Sequence, residues 1–126
     1  MDKPYDFRDR SFMFASDVVA FCRIVANRDY IIRRLAGQLV DWAGSMGANL
    51  EESADGQTKP DFIAKEFIAL KEAREARYWL RLIAHSEPPL RGRAAPLVQE
   101  ASEWVAMLTT SVKTAKSNPS RGNKHV

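Results

Sequence analysis

Three arginines follow one side of a predicted helix in the middle of this chain. Arg74, Arg77 and Arg81 are spaced by three and four residues, which places them on one helical face. No acidic residue lies three or four positions from any of them, so no intrahelical ion pair neutralises their charge. They could contact the phosphates of a nucleic acid, or form ion pairs with another helix or another copy of the chain. Ion pairing is favoured, because the apolar residues Ile63 and Phe67 precede the arginines on the same face.

A second polar group is predicted around Asn49. This residue continues the apolar stripe of the preceding helix by one step, so it is expected to point inward, where an amide needs partners. The candidates are Glu52, one turn later, and a charged side chain of the next helix. Glu72 and Arg74 have no opposite charge at helical spacing on their own helix. We therefore predict a buried or intersubunit polar network of Asn49, Glu52, Glu72 and Arg74.

The sequence offers no catalytic or metal-binding constellation. Its two histidines, His85 and His125, have no further ligand at metal-binding spacing on the same helix, and no Glu-x-x-His motif is present. A glycine-rich phosphate loop is also missing. Cys22 lies within an apolar stripe and is interpreted as a small buried hydrophobe. We predict a protein that is not an enzyme and that has no cofactor.

The composition is that of an ordinary globular domain with a basic end. The chain has 126 residues, 45% of them apolar and 28% charged, with a net charge of +3. No acid follows Glu103, whereas residues 1–112 sum to −1 (15 basic and 16 acidic residues). Lys113 and Lys116 in this basic end join the three arginines as candidate nucleic-acid contacts. Without a signal peptide or an apolar run of membrane-spanning length, the chain is expected to be cytoplasmic and not membrane-bound.

Apolar residues at helical spacing predict four helices. The third is expected to begin after the N-cap Thr58 and to run from about Lys59 to His85, with a loop over 87–93 before the fourth. Short connections favour an all-α, up-down-up-down antiparallel four-helix bundle. We expect an N-terminal extension at 1–6, the bundle at 7–116 and a disordered basic tail at 117–126. The stripes of the four helices are Phe14, Val18, Phe21, Val25; Ile32, Leu35, Leu39, Trp42, Met46; Phe62, Ala69, Ala73, Ala76, Leu80, Ile83; and Leu97, Ala101, Trp104, Leu108.

Glycines are unusually frequent in the second predicted helix. Gly37, Gly44 and Gly47 each cost the helix about 1 kcal/mol relative to alanine. A glycine inside a helix often permits close approach of another backbone. Two explanations stay open here: tight packing within the bundle, or contact with a neighbouring subunit.

Five segments of the second and third predicted helices form a recognisable set: Gln38-Leu39, Ser45-Met46-Gly47-Ala48-Asn49-Leu50-Glu51-Glu52, Asp61-Phe62-Ile63-Ala64-Lys65, Ile68-Ala69-Leu70-Lys71-Glu72-Ala73-Arg74-Glu75 and Arg77-Tyr78-Trp79-Leu80-Arg81-Leu82. Together they resemble a known family, the bacterial four-helix bundle proteins related to the 23S rRNA intervening-sequence protein. The similarity would cover about 7–115. The resemblance implies a four-helix bundle that assembles into a ring, typically a homopentamer, with no known enzymatic activity.

The resemblance also bears on partners. Some relatives are encoded inside ribosomal RNA insertions, and others are accessory proteins of diversity-generating retroelements that bind nucleic acid and a reverse transcriptase. Many relatives carry arginine just after Gln38-Leu39, where this chain has Val40-Asp41. This departure weakens the nucleic-acid interpretation. We expect a self-associating scaffold or partner-binding protein, and keep as the alternative an accessory protein that binds structured RNA or a reverse-transcriptase partner.

Overall fold

The computed structural model describes residues 6–53 and 58–117, and almost all of these residues lie in helices. No strand occurs within these two ranges. The expected all-α four-helix fold is confirmed. Residues 1–5 and 118–126, most of the predicted extension and tail, lie outside the described residues. The helices are α1 (Phe7–Val25), α2 (Tyr30–Ser53), α3 (Lys59–Ser86) and α4 (Arg91–Ser117).

Polar side chains mark where three of the helices begin. The Asp6 carboxylate accepts a hydrogen bond from the backbone N–H of Arg8 at 2.7 Å, and Asp29 accepts from the N–H of Ile32 at 3.0 Å. Thr58 is the N-cap of α3, as predicted. Pro60 is accommodated in the first turn of the helix, where a backbone N–H would have no partner within the helix. Local chemistry therefore sets these boundaries.

The segment between α3 and α4 is shorter than the predicted loop. Pro88–Leu90 form a single 3₁₀ turn, and α4 begins at Arg91 rather than after 93. The N–H of Leu90 donates to the carbonyl of Glu87 at 2.9 Å, and the Leu90 side chain is buried. Burial of this leucine fixes the connection against the core, and α4 begins at the next residue.

Consecutive helices run antiparallel, because residues further along one helix contact residues further back along the other. The helices α1 and α3 each pack against α2 and α4 and therefore occupy diagonally opposite corners of the bundle. The paired contacts that set the direction are Cys22 with Ala36 and Ser11 with Gly47 for α1 and α2, Lys65 with Glu52 and Glu72 with Asn49 for α2 and α3, and Ala84 with Arg91 and Glu66 with Ser111 for α3 and α4.

The core confirms the predicted faces of α1, α3 and α4, apart from Phe62, which is half-buried. The face of α2 is turned relative to the prediction. Leu35 and Trp42 are only half-buried, and the Trp42 Nε1 donates to Gln38 instead of pointing into the core. The α2 residues that are fully packed in the core are Ile32, Ala36, Leu39, Ala43, Met46 and Leu50.

This turn of α2 has a simple physical reason. Two neighbouring apolar stripes compete for the core, and the stripe that contains the alanines lets the adjacent helices approach more closely. Leu35, Trp42 and Asn49 are seven residues apart, so all three lie along one flank of α2. Asn49 is consequently half-buried at the edge of the core rather than inside it.

Candidate functional site

The three arginines of α3 lie on the outer side of the bundle. Arg74 and Arg81 are exposed and Arg77 is half-buried. None of the three makes a hydrogen bond or ion pair with any residue that the structure describes. Their charge is therefore available to a partner outside the chain, whether phosphate or carboxylate.

The lysines grouped with these arginines stand apart from them. Lys113 and Lys116 are exposed near the end of α4, and Lys116 Nζ lies 5.1 Å from the centre of the Phe67 ring. Because α3 and α4 are antiparallel, this contact is near the start of α3, about 21 Å along the helix from Arg81. The predicted basic residues thus form an elongated row and not one compact cluster.

The predicted polar network is brought together in part. The Asn49 amide nitrogen donates to Glu72 Oε1 at 2.8 Å and to the carbonyl of Ser45 at 3.1 Å. Glu72 is only 7% exposed, and burial raises the pKa of its carboxyl, although the bond from Asn49 acts in the opposite direction. Glu52 instead pairs with Lys65 at the surface. Arg74 takes no part in this contact.

A second buried carboxylate was missed by the sequence interpretation. Glu66 is 3% exposed and accepts a hydrogen bond from the Ser111 hydroxyl of α4. Burial raises the pKa of Glu66, and the Ser111 bond only partly opposes the shift. Its position could have revealed it, since Glu66 follows Phe62 by four residues and precedes Ala69 by three, on the core face of α3.

An ion cluster between α1 and α4 was also missed. Arg10 forms a two-pronged contact with Glu100, Nε to Oε2 at 2.8 Å and Nη2 to Oε1 at 2.9 Å, and reaches Glu103 at 2.7 Å. The guanidinium also lies 5.6 Å from the centre of the buried Trp104 ring. The Glu100 carboxylate is the main cause of a raised pKa for Arg10. This cluster joins two helices and is structural.

The possible metal ligands of the described residues do not come together in the structure. No three His, Cys, Asp or Glu side chains among residues 6–53 and 58–117 are arranged to hold a metal ion. His85 is exposed, and His125 lies outside the described residues. Cys22 is buried, and desolvation raises the pKa of its thiol to about 11. Within the same ranges no helix is long and apolar enough to cross a membrane.

Large apolar side chains are exposed at the start of α2, at Tyr30 and Ile31, and on the two diagonal helices α1 and α3. We call Phe12, Met13 and Val19 the α1 patch; Phe12 is 68% exposed. We call Ile63, Phe67 and Ile68 the α3 patch; Phe67 and Ile68 are exposed, and Ile63 is half-buried. The α3 patch lines an open groove of about 560 Å³ whose remaining walls are Pro60, Ala64 and Lys116.

Two glycines of α2 are not explained by packing inside the bundle. A methyl group added to Gly37 or Gly44 would meet no atom of the described chain within 4 Å, apart from the neighbouring residues and the backbone of its own helix. Gly47 differs, because its added methyl would lie in ordinary contact with Ser11 of α1, at 3.8 Å. Gly37 and Gly44 therefore leave an open surface on the outside of α2.

Comparisons with known proteins place this fold in a family. The crystal structure of a protein of unknown function from Bacteroides thetaiotaomicron VPI-5482, described as a member of the S23 ribosomal protein family, is 30% identical to the chain. The TM-score is 0.75, and the match covers 84% of this chain and 97% of that one. No curated protein matches the chain. A model of the 23S rRNA-intervening sequence protein family matches residues 4–110. The chain therefore belongs to the 23S rRNA-intervening sequence protein family.

Proposed function

We propose that this chain is a non-enzymatic protein that self-associates into a ring, a homopentamer, and acts as a scaffold or partner-binding subunit. The observation that carries this proposal is the presence of two different exposed apolar patches on diagonally opposite helices. A closed ring with more than two subunits uses heterologous contacts, in which two distinct surfaces of each subunit meet. The α1 patch and the α3 patch meet this requirement.

The chemistry of the two patches supports their pairing. Phe12 projects from α1, whereas Phe67 lines a groove with apolar walls. Asp9, an exposed acid one turn before the α1 patch, complements Lys116 at the rim of the groove. Burial of apolar side chains would supply most of the affinity, and the opposite charges would orient the two subunits.

The test is the mass of the protein in solution by light scattering. The wild-type chain is expected to give one species of about 71 kDa, five times the 14.2 kDa of a single chain. Phe12→Glu and Phe67→Glu should each dissociate the ring, because each places a charge in an apolar contact. Thr110→Glu, at an exposed position of α4, is the matched control and should leave the mass unchanged.

Mixing the two variants makes the test sharper. Each retains the patch that the other has lost, so an equimolar mixture is expected to form a heterodimer that cannot extend into a ring. A wild-type protein that stays monomeric at micromolar concentration would overturn the proposal. So would a Phe67→Glu variant that still assembles as the wild type does, because the α3 patch would then have no part in the contact.

The second candidate function is the binding of structured RNA, and the unpartnered arginines of α3 favour it. Changing Arg74, Arg77 and Arg81 together to glutamine should weaken RNA binding. The slope of log binding constant against log salt concentration should also become less steep by about three, because three phosphate contacts are lost. The matched control removes three exposed positive charges elsewhere, at Arg23, Arg33 and Arg34. Equal losses in both triple variants, or no RNA shift even at low salt, would contradict this candidate.

A further inference from the structure

A second groove lies at the other end of the α3–α4 pair, where α3 finishes and α4 begins. It has a volume of about 620 Å³, within the range of about 300–1,000 Å³ that is usual for small-molecule sites. Its walls combine cationic and apolar side chains, and no carboxylate is among its lining residues. The principal ones are Tyr78, Arg81, His85, Arg91, Val98 and Gln99.

The cations of this groove are arranged for an anion. The Arg91 guanidinium is fixed by hydrogen bonds to the carbonyls of Ala84 and His85, at 3.0 and 3.4 Å, which hold it at the groove wall without neutralising it. Arg81 and His85 make no side-chain hydrogen bond or ion pair with the described parts of the chain. A phosphate is the natural partner of two guanidinium groups, since each can donate two hydrogen bonds to its oxygens.

The rest of the groove fits a flat apolar group. The Tyr78 ring is 54% exposed and is held by edge contact with Trp79, with ring centres 5.1 Å apart. Val98 and Leu82 contribute apolar wall beside it. An aromatic ring of a ligand could stack on Tyr78 while an attached phosphate reaches Arg81 and Arg91.

We propose that this groove, between Tyr78 and Arg81 of α3 and Arg91 of α4, binds a nucleoside monophosphate, with the base on Tyr78 and the phosphate at the arginines. The site does not overlap the α1 patch or the α3 patch. It shares Arg81 with the candidate RNA surface, but its ligand is a single nucleotide, and Arg74 is not part of it.

The experiment is calorimetric titration of the full-length protein with adenosine 5′-monophosphate, adenosine and inorganic phosphate. Saturable binding of the monophosphate is expected, at least tenfold tighter than that of adenosine or phosphate alone. Arg81→Gln should lower the affinity at least tenfold, because it removes a charge-assisted contact. Arg74 is an exposed arginine two turns earlier, so Arg74→Gln is the matched control. This variant should change the affinity for adenosine 5′-monophosphate less than twofold.

A second variant separates the two parts of the ligand. Tyr78→Leu should weaken binding of the monophosphate and leave binding of inorganic phosphate unchanged, since only the base contacts the ring. No saturable binding up to about 5 mM, or equal losses for the Arg81 and Arg74 variants, would overturn the inference. The assembly mass is measured on the same samples, so a failure here is distinguishable from a failure of the proposed ring.

Discussion

Asn49 of α2 donates a hydrogen bond of 2.8 Å to Glu72 of α3, and this bond joins a half-buried amide to a buried carboxylate. The residues are 23 positions apart and meet across the seam between two antiparallel helices. A buried carboxylate without a hydrogen-bond donor is costly, so Asn49 offsets part of the cost of placing Glu72 there.

Removal of the Asn49 amide should therefore destabilise the fold. Asn49→Ala is expected to lower the free energy of unfolding at pH 7 by about 1–3 kcal/mol, because Glu72 loses its donor. Urea unfolding of the two single variants and of the double variant with Glu72→Leu, which removes the acceptor, forms the necessary cycle. If Asn49→Ala costs as much in the Glu72→Leu background as in the wild type, the bond does not contribute as we describe.

Glu66 should make stability depend on pH. Burial raises its folded-state pKa above the ordinary value of 4.5, so the folded chain holds this proton more tightly than the unfolded chain. The contribution of Glu66 to the free energy of unfolding is therefore most favourable when the pH is below its pKa in the unfolded chain. That contribution is lost as the pH rises through its pKa in the folded chain. Glu66→Gln removes the charge and should raise the free energy of unfolding at pH 7 by about 1 kcal/mol, with little effect at pH 4.

The control for this prediction is Glu51→Gln, an exposed carboxylate of α2, which should change stability little at either pH. Unfolding is followed by circular dichroism at one fixed protein concentration, because association contributes to apparent stability. A loss of stability on Glu66→Gln at pH 7 would contradict the prediction and would mean that the ionised carboxylate is favourable there.

The Arg10 cluster is expected to be the strongest polar link between α1 and α4. Arg10→Ala should cost about 2 kcal/mol or more, because it breaks a part-buried contact with two glutamates beside Trp104. Arg10→Lys keeps the charge but loses the two-pronged geometry, so we expect an intermediate loss. Thermal unfolding measures both. Arg23→Ala, an exposed arginine of the same helix, should cost only a few tenths of a kcal/mol, and a similar loss there would refute the assignment.

Cys22 should resist modification while the chain is folded. Desolvation raises the pKa of the thiol to about 11, so the reactive thiolate is scarce at pH 7, and the side chain is buried as well. Reaction with a disulfide reagent is expected to be slow in native buffer and to reach one thiol per chain rapidly in guanidinium chloride. Complete labelling of the native protein within a minute would show that this part of the core opens readily.

Gly44 offers a test that separates folding from assembly. Gly44→Ala should stabilise the helix by about 0.5–1 kcal/mol, since the added methyl meets no atom of the described bundle other than its own helix and neighbours. If the open side of α2 also contacts a neighbouring subunit, the same change should weaken assembly. Gly92→Ala, another unobstructed glycine, is the control and should leave the assembly mass unchanged. Equal effects of both substitutions on assembly would exclude a contact at Gly44.

Much of the secondary structure and of the core could be predicted, because both depend on local sequence patterns such as capping residues and the spacing of apolar residues. The Thr58 cap and the core faces of α1, α3 and α4 follow from turn chemistry and from helical periodicity. The face of α2 was predicted in part: Ile32, Leu39 and Met46 are buried as expected, whereas Leu35 and Trp42 are only half-buried, since periodicity does not choose between two adjacent apolar stripes. Glu66 was missed for a different reason. Helical spacing places it on the core face of α3, but a charged residue is seldom expected to be buried.

Four helices, their order, the Thr58 cap of α3 and the family of this protein could be derived from sequence patterns alone. The packing of the four helices determines which polar side chains meet: Arg10 with Glu100 at a separation of 90 residues, Glu66 with Ser111 at 45, and Asn49 with Glu72 at 23. Helical periodicity reports which face of a helix is apolar, but it carries no information about the rotation and height of the neighbouring helix. Those two quantities are set by side-chain packing across the whole bundle. They also leave the arginines of α3 without partners in the described chain and bring Tyr78, Arg81 and Arg91 to one groove.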